Sequence, residues 1–250
     1  MYQRLFIGRK LLHLAEVDST NTYIKEIISK ENKEVEGLVV SVDKQVFGRG
    51  QKGSVWKSEP GKNLTFSIYL KPNLFIQNQF LISKVISLGI IDFLKNLGIE
   101  RTYIKWPNDI YIESRKVGGI LIENSIKNNK VYSSVVGVGV NVNQVKFDLE
   151  NNPTSIINEL GGIDFDLKEL FNQLLFFIEK RYMLLKLNNE PIIDNTYISK
   201  LYLINELKKF KVNNKVVKGV ITGVSSIGKL QIRISDRNRE FDLKEIEFLE

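Results

Sequence analysis

Residues 45–56 read Q-V-F-G-R-G-Q-K-G-S-V-W, three glycines, two cations and an indole in a single short stretch. From Lys44 to Lys57 there are four Lys or Arg residues and no acid. Gly48, Gly50 and Gly53 allow positive φ and close approach of backbone to a ligand, while Arg49 and Lys52 bring charge and donors to the same place. Such a stretch suits an anionic small molecule. Before it, residues 37–42 read as a buried strand, and after it residues 63–70 alternate like a second strand. The glycine stretch is therefore a loop joining two strands.

Working outward, residues 11–16 form a first strand. Asp18-Ser19-Thr20-Asn21 then offers several caps for a helix with Ile24, Ile27 and Ile28 on one face. From Ile82, apolar residues at 82, 85, 86, 89, 90, 93, 94 and 97 keep helical spacing, and Gly98 stands where a C-terminal cap belongs. Strands follow at 102–106, 110–112, 117–123 and 131–140, a meander consistent with an antiparallel or mixed sheet. Asp166 to Glu169 has capping-box spacing and opens a helix burying Leu167, Leu170, Phe171, Leu174, Leu175, Ile178 and Tyr182. Beyond Tyr202 short alternating strands with turns at 213–214, 225–228 and 236–238 predict a small β-barrel. The expected fold is α+β: a mixed sheet flanked by helices over residues 1–204, and a C-terminal β domain over 205–250.

Composition narrows the chemistry. With 250 residues and 43% apolar content, the chain can bury one sizeable core and a smaller second one. No run reaches the roughly 18 apolar residues of a membrane span, and the first ten residues lack the apolar stretch of a signal peptide, so the cytoplasm is the expected compartment. Zero cysteines exclude disulfides, thiolate catalysis and cysteine-bound zinc, and the single His13 leaves no nitrogen-ligand cluster, so no resident metal is expected. His13 sits in the alternation L-L-H-L and reads as a strand residue. The formal charge of +7 comes mostly from lysines scattered among isoleucines and asparagines, with acids interleaved. That pattern favours encounter with anionic partners without implying nucleic acid.

Two more segments complete an ordered pattern. They are Lys105-Trp106-Pro107-Asn108-Asp109 and Gly137-Val138-Gly139-Val140-Asn141-Val142-Asn143, with Lys116-Val117-Gly118-Gly119-Ile120-Leu121 between them. Together with the glycine loop they resemble the biotin protein ligases, whose motifs run close to G-R-G-R-x-G-R-x-W, K-W-P-N-D and a small-residue strand ending in asparagine. By motif the match spans residues 18–143. The resemblance implies a mixed-sheet catalytic domain, an SH3-like tail, and a monofunctional type without the N-terminal DNA-binding domain that some members carry. It also implies a two-step reaction: biotin and ATP give biotinyl-adenylate, and the acyl group passes to a lysine of a biotin carboxyl carrier protein.

The roles carried over by position are these. Lys105 would reach the biotin carboxylate and the α-phosphate, and Arg49 would hold the ligand as the loop folds over it. Ser19, Thr20, Asn21 and Gln45 fall where the family places partners of the ureido ring, and for Ser19 and Thr20 plain helix capping is a rival reading. Gly48, Gly50 and Gln51 of the loop and the small residues Gly118, Gly119, Gly137 and Gly139 would lie against flat ligands. Trp56 would cover the adenine or belong to the core. Asn108, Lys116 and Asn141 complete the expected ATP contacts, Asn141 reading the adenine edge. Mg²⁺ would enter with ATP, and Asp109 or Glu100 would deprotonate the carrier lysine. Gln51 and Ser54 replace two family arginines, with Lys52 a candidate to compensate. A monomer or homodimer is expected. The alternative is a lipoate or octanoate ligase, whose substrate is a flexible apolar chain without a ureido group.

Overall fold

The computed structural model describes residues 2–31, 35–148 and 152–249, apart from the side chains of Glu31 and Lys52. The proposed compensation by Lys52 therefore lies outside the described residues. The chain opens with β1 (Leu11–Val17), α1 (Thr20–Glu31), β2 (Val39–Gln45), β3 (Leu64–Leu70), β4 (Leu74–Phe75) and α2 (Phe80–Asn96). The meander follows as β5 (Thr102–Lys105), β6 (Asp109–Ile112), β7 (Arg115–Lys127) and β8 (Lys130–Val140). Three helices come next: α3 (Ile156–Leu160), α4 (Leu167–Lys186) and α5 (Glu190–Ser199). The last strands are β9 (Leu207–Val212), β10 (Lys215–Val224), β11 (Leu230–Ile234), β12 (Arg237–Phe241) and β13 (Ile246–Leu249).

The main sheet runs β1-β2-β3-β8-β7-β6-β5, with β4 paired to β8. Only β1 and β2 are parallel among these pairs, so the sheet is mixed, as the sequence predicts. Helices cover both faces. Ile24 of α1 packs with Leu38, Val40, Tyr69 and Val135 on one side. On the other, Phe66, Ile68, Val136 and Val138 meet α2 and α4, and the Phe66 and Phe171 rings lie 4.9 Å apart. Each fully buried Ile, Leu or Phe contributes about 1.5–3 kcal/mol, so this face carries most of the stability. β3 is buried along its whole length rather than alternating with solvent, because α1 takes the face that would otherwise be wet.

The long apolar helix ends as its sequence predicts. Gly98 has φ 88°, its N–H donates to Lys95 O, and Ile99 N–H donates to Leu94 O, the paired bonds of a Schellman cap. At α4, Asp166 accepts from the N–H groups of Lys168 and Glu169, while Glu169 accepts from Gln173, so only half of the expected capping box forms. The strand expected from Gly37 starts at Val39, since Gly37 itself turns with φ 85°.

The second sheet is antiparallel, in the order β12-β11-β10-β9-β13, around Phe210, Ile221, Leu230, Ile232 and Phe241, consistent with an SH3-like module. Leu201 pairs with Ile104 of the main sheet and Ile204 with Ile221 of the second, so residues 201–204 bridge the two sheets. Trp106 Nε1–H donates to Gly228 O at 2.8 Å across the same junction. Among the described residues no helix is long and apolar enough to cross a membrane.

Candidate active site

A cleft of about 340 Å³ opens above the centre of the main sheet, between the start of α1, the glycine loop and the turn after β5. Its floor is small because Gly119, Gly137 and Gly139 line it. A Cβ at Gly137 would stand 2.6 Å from Asn21 Oδ1, and one at Gly139 would stand 2.4 Å from the Trp56 ring. Glycine at both positions is thus a packing requirement.

One wall is a buried polar network. The Thr20 N–H donates to Gln45 Oε1 at 2.9 Å, and the Thr20 and Ser67 hydroxyls are 2.7 Å apart. Ser67 Oγ lies 2.5 Å from Asn21 Oδ1, and Asn21 Nδ2 donates to Glu123 Oε2 at 2.8 Å. These bonds fix which end of each amide faces the cleft. The Thr20 N–H at the start of α1 is bonded by Gln45 of β2, so Thr20 joins the wall while opening the helix.

The loop forms a small hairpin. Gly50 N–H donates to Ser54 O, Trp56 N–H donates to Gly48 O, and a 3₁₀ turn spans Gln51–Gly53. Arg49 Nη2 reaches Glu123 Oε2 and Thr22 Oγ1, each at 3.2 Å. Glu123 also accepts from Lys25 at 2.6 Å. Burial alone would raise this carboxyl, but hydrogen bonds from Lys25 and Asn21, with the charges of Lys25 and Arg49, hold it below the usual carboxylate range. Glu123 and Ser67 were not singled out in the sequence. Their partners lie tens of residues away and leave no local signal.

The Trp56 ring packs against Gly139 and Gly119, and its Nε1–H is buried without a hydrogen-bond partner among the described residues. Lys116 Nζ sits 5.8 Å from the Trp56 ring and 2.7 Å from Asp109 Oδ1. Asn108 faces the cleft but spends Nδ2 on Ile120 O at 2.7 Å, pinning the turn that follows the cis Trp106-Pro107 bond to β7. Lys105 ends β5 at the cleft wall, its ammonium 5.0 Å from the Tyr111 ring centre.

The structure thus brings Ser19, Thr20, Asn21, Gln45, Arg49, Gly50 and Gln51 together with Trp56, Lys105, Asn108, Lys116 and Gly137 around one cleft. Gly48, Gly118 and Asn141 do not line it. Gly48 packs against the Trp56 backbone, and Gly118 against Gly139 O. Asn141 is buried beyond the strand end, where Nδ2 donates to Thr154 O at 2.9 Å and Oδ1 has no hydrogen-bond partner among the described residues. Of the two candidate bases, Asp109 lines the cleft and Glu100 does not. No cluster of three or more His, Cys, Asp or Glu side chains occurs among the described residues.

Comparison with known proteins gives concordant results. The bifunctional ligase/repressor BirA of Bacillus subtilis is 30% identical over 179 residues, which cover 70% of this chain and 54% of the relative. The chain thus spans about half the length of the Bacillus proteins it matches. Biotin--protein ligase 2 of Arabidopsis thaliana is 29% identical over 94% of this chain and 73% of its own. Among solved structures, the biotin protein ligase of Aquifex aeolicus in complex with biotin and ATP superposes with a TM-score of 0.76 at 28% identity, covering 96% of this chain and 98% of that one. Residues 14–141, which carry all of the cleft lining except Leu243, match the model of the biotin/lipoate A/B protein ligase family, and this chain belongs to that family.

Proposed function

We propose that the protein activates biotin with ATP as biotinyl-5′-AMP and transfers it to a lysine of a biotin carboxyl carrier protein. The observation that carries this reading is the joint presence, around one cleft, of a terminal-strand lysine, a cationic glycine loop and a buried wall of hydroxyls and amides. The wall suits a neutral bicyclic urea, each hydrogen bond contributing about 0.5–1.5 kcal/mol net. A flexible apolar acyl chain carries no ureido group to meet those donors and acceptors, which disfavours lipoate or octanoate. The named biotin ligases among the relatives point the same way.

In the first step a biotin carboxylate oxygen attacks the α-phosphorus and the bond to pyrophosphate breaks. Two anions must be held together while charge builds on phosphorus, so positioning and electrostatics supply most of the rate. Lys105 serves both, bridging carboxylate and α-phosphate, while Arg49 and the loop close over the pair. Magnesium would come with ATP and would offset part of the phosphate charge. Asp109 is the acid that lines the cleft among the described residues, and Lys116 pairs with it at 2.7 Å. In the second step the carrier amine attacks the acyl carbon, AMP leaves, and Asp109 takes the amine proton. Glu100 lies outside the cleft lining, which favours Asp109 for this task.

The test is pyrophosphate exchange into ATP with biotin, lipoate and octanoate side by side. Exchange that requires biotin is the expected result. Exchange with lipoate and none with biotin overturns the substrate assignment.

A further inference from the structure

Lys105 does not stand alone at the cleft wall. Its ammonium lies 5.0 Å from the ring centre of Tyr111, 5.8 Å from that of Tyr202 and 5.3 Å from that of Phe248. All three fall within the roughly 6 Å at which an aromatic face attracts a cation. The rings come from three separate places: β6 of the main sheet, the bridging segment, and the last strand of the second sheet. None is adjacent to Lys105 in sequence.

Each ring is braced. Tyr111 and Tyr202 lie 5.3 Å apart, and Tyr103 is 6.1 Å from Tyr202. Backbone bonds of 2.8 Å from Ile104 N–H to Lys200 O, and of 2.9 Å from Tyr202 N–H to Ile104 O, lock the bridging segment alongside β5. Phe248 rests on Phe210 at 5.5 Å, and Phe210 is fully buried in the second sheet. A rigid line therefore runs from the core of the second sheet to the amine that ends β5.

We propose that Phe248, with Tyr111 and Tyr202, is a positioning residue that holds the Lys105 ammonium for adenylation, so that the C-terminal sheet contributes to the active site through an aromatic cage. This rests on the biotin-activating role of Lys105 given above. A lysine carries four rotatable side-chain bonds, and its amine is effective only when aimed before substrate arrives. Aromatic faces suit that task because they hold a cation without competing as anions for the place that carboxylate and phosphate must take. Phe248 lies outside the cleft lining, so it acts through Lys105 and not on substrate.

The experiment measures biotin-dependent pyrophosphate exchange in the full-length chain as wild type, Phe248→Leu, Phe248→Tyr, and both substitutions in a Lys105→Ala background, with melting curves for all. Phe248→Leu keeps apolar bulk and removes the ring. It is expected to lower kcat about three- to tenfold with less than a twofold change in biotin KM, while Phe248→Tyr stays near wild type. In the Lys105→Ala background the leucine substitution is expected to have no further effect, because the partner of the ring is gone. An equal loss in both backgrounds, or a loss that follows melting temperature, overturns the proposal in favour of simple packing. Unchanged or faster exchange from Phe248→Leu overturns it as well. Absence of biotin-dependent exchange in the wild type would instead overturn the assigned reaction, so the two failures are distinguishable.

Discussion

Ser19, Thr20, Asn21 and Ser67 are at most 5% exposed, and the last three hold one another and Gln45 by hydrogen bonds, whereas Phe47 and Val55 of the facing loop are 67% and 68% exposed. The wall is set in place by the sheet and by α1. The loop is held by its own hairpin bonds, by the Phe47 N–H to Asp18 O bond at its entry, and by partly exposed links from Arg49 to Glu123 and Thr22. Buried, mutually satisfied groups recognise shape at little further loss of entropy, while an exposed loop can order around a ligand and open again. Recognition and retention therefore reside in different parts of the cleft, and substitutions in each are expected to change different rate constants.

The largest effect belongs to neither region. Lys105→Ala is expected to lower adenylation about a hundred- to a thousandfold with the fold intact, the usual consequence of deleting one preorganised charge stabiliser. A folded variant with near-normal exchange would remove Lys105 from the chemistry. Next comes the wall. Ser67→Ala strips partners from Asn21 Oδ1 and Thr20 Oγ1 and is expected to weaken biotin binding about tenfold, read by calorimetry, with kcat within about threefold of wild type. A fall in kcat at unchanged affinity would break the division between recognition and catalysis.

Two substitutions then probe the loop. Gln51 lines the cleft where the family pattern has arginine, and an amide makes weaker contacts with phosphate than a bidentate guanidinium. Gln51→Arg is expected to slow release of preformed biotinyl-adenylate by up to about tenfold, in the absence of carrier, with substrate choice unchanged. Equal or faster release would show that this position does not govern retention. The smallest effect is at Glu123, whose side chain is 26% exposed, so its ion pairs are worth about 1 kcal/mol or less each. Its folded carboxyl titrates below the ordinary value of 4.5, so it stabilises the fold above that value and the contribution is lost as pH falls through the lower folded value. Glu123→Gln is expected to melt slightly lower than wild type near neutral pH, and the gap is expected to close as the solution is acidified below 4.5. A gap independent of pH would mean that the carboxylate charge is not what links Arg49 to Asn21.

The elements most legible in the sequence were those whose patterns are local. The α2 helix announces itself by apolar spacing and Gly98, and the meander by strands separated by short turns. The short helices α3 and α5 and the two-residue β4 carry too few periodic residues to stand out. The alternation of residues 63–70 marks a strand but does not reveal that α1 covers its second face and buries β3 throughout. In the site, the loop and the Lys105 segment were visible as motifs. Glu123, Ser67 and Phe248 were not, since each acts through a partner brought close only by folding. Asn141 shows the reverse case: its place at the end of the small-residue strand suggests a ligand contact, yet it lies outside the cleft lining with Nδ2 bonded to Thr154 O.

The indole lying on Gly139 has a practical corollary. The chain has two tryptophans, Trp56 and Trp106, and both line the cleft. All of the protein's red-edge ultraviolet emission therefore originates within the pocket, with no indole elsewhere to dilute it. Trp106 is anchored by its bond to Gly228 and supplies a steady component, while Trp56 has a buried ring nitrogen with no hydrogen-bond partner among the described residues and covers the glycine shelf that lines the cleft. Unlabelled wild-type protein is thus its own optical reporter: excitation at the long-wavelength side of the indole band follows occupancy of the shelf in real time, and Trp56→Phe supplies the blank.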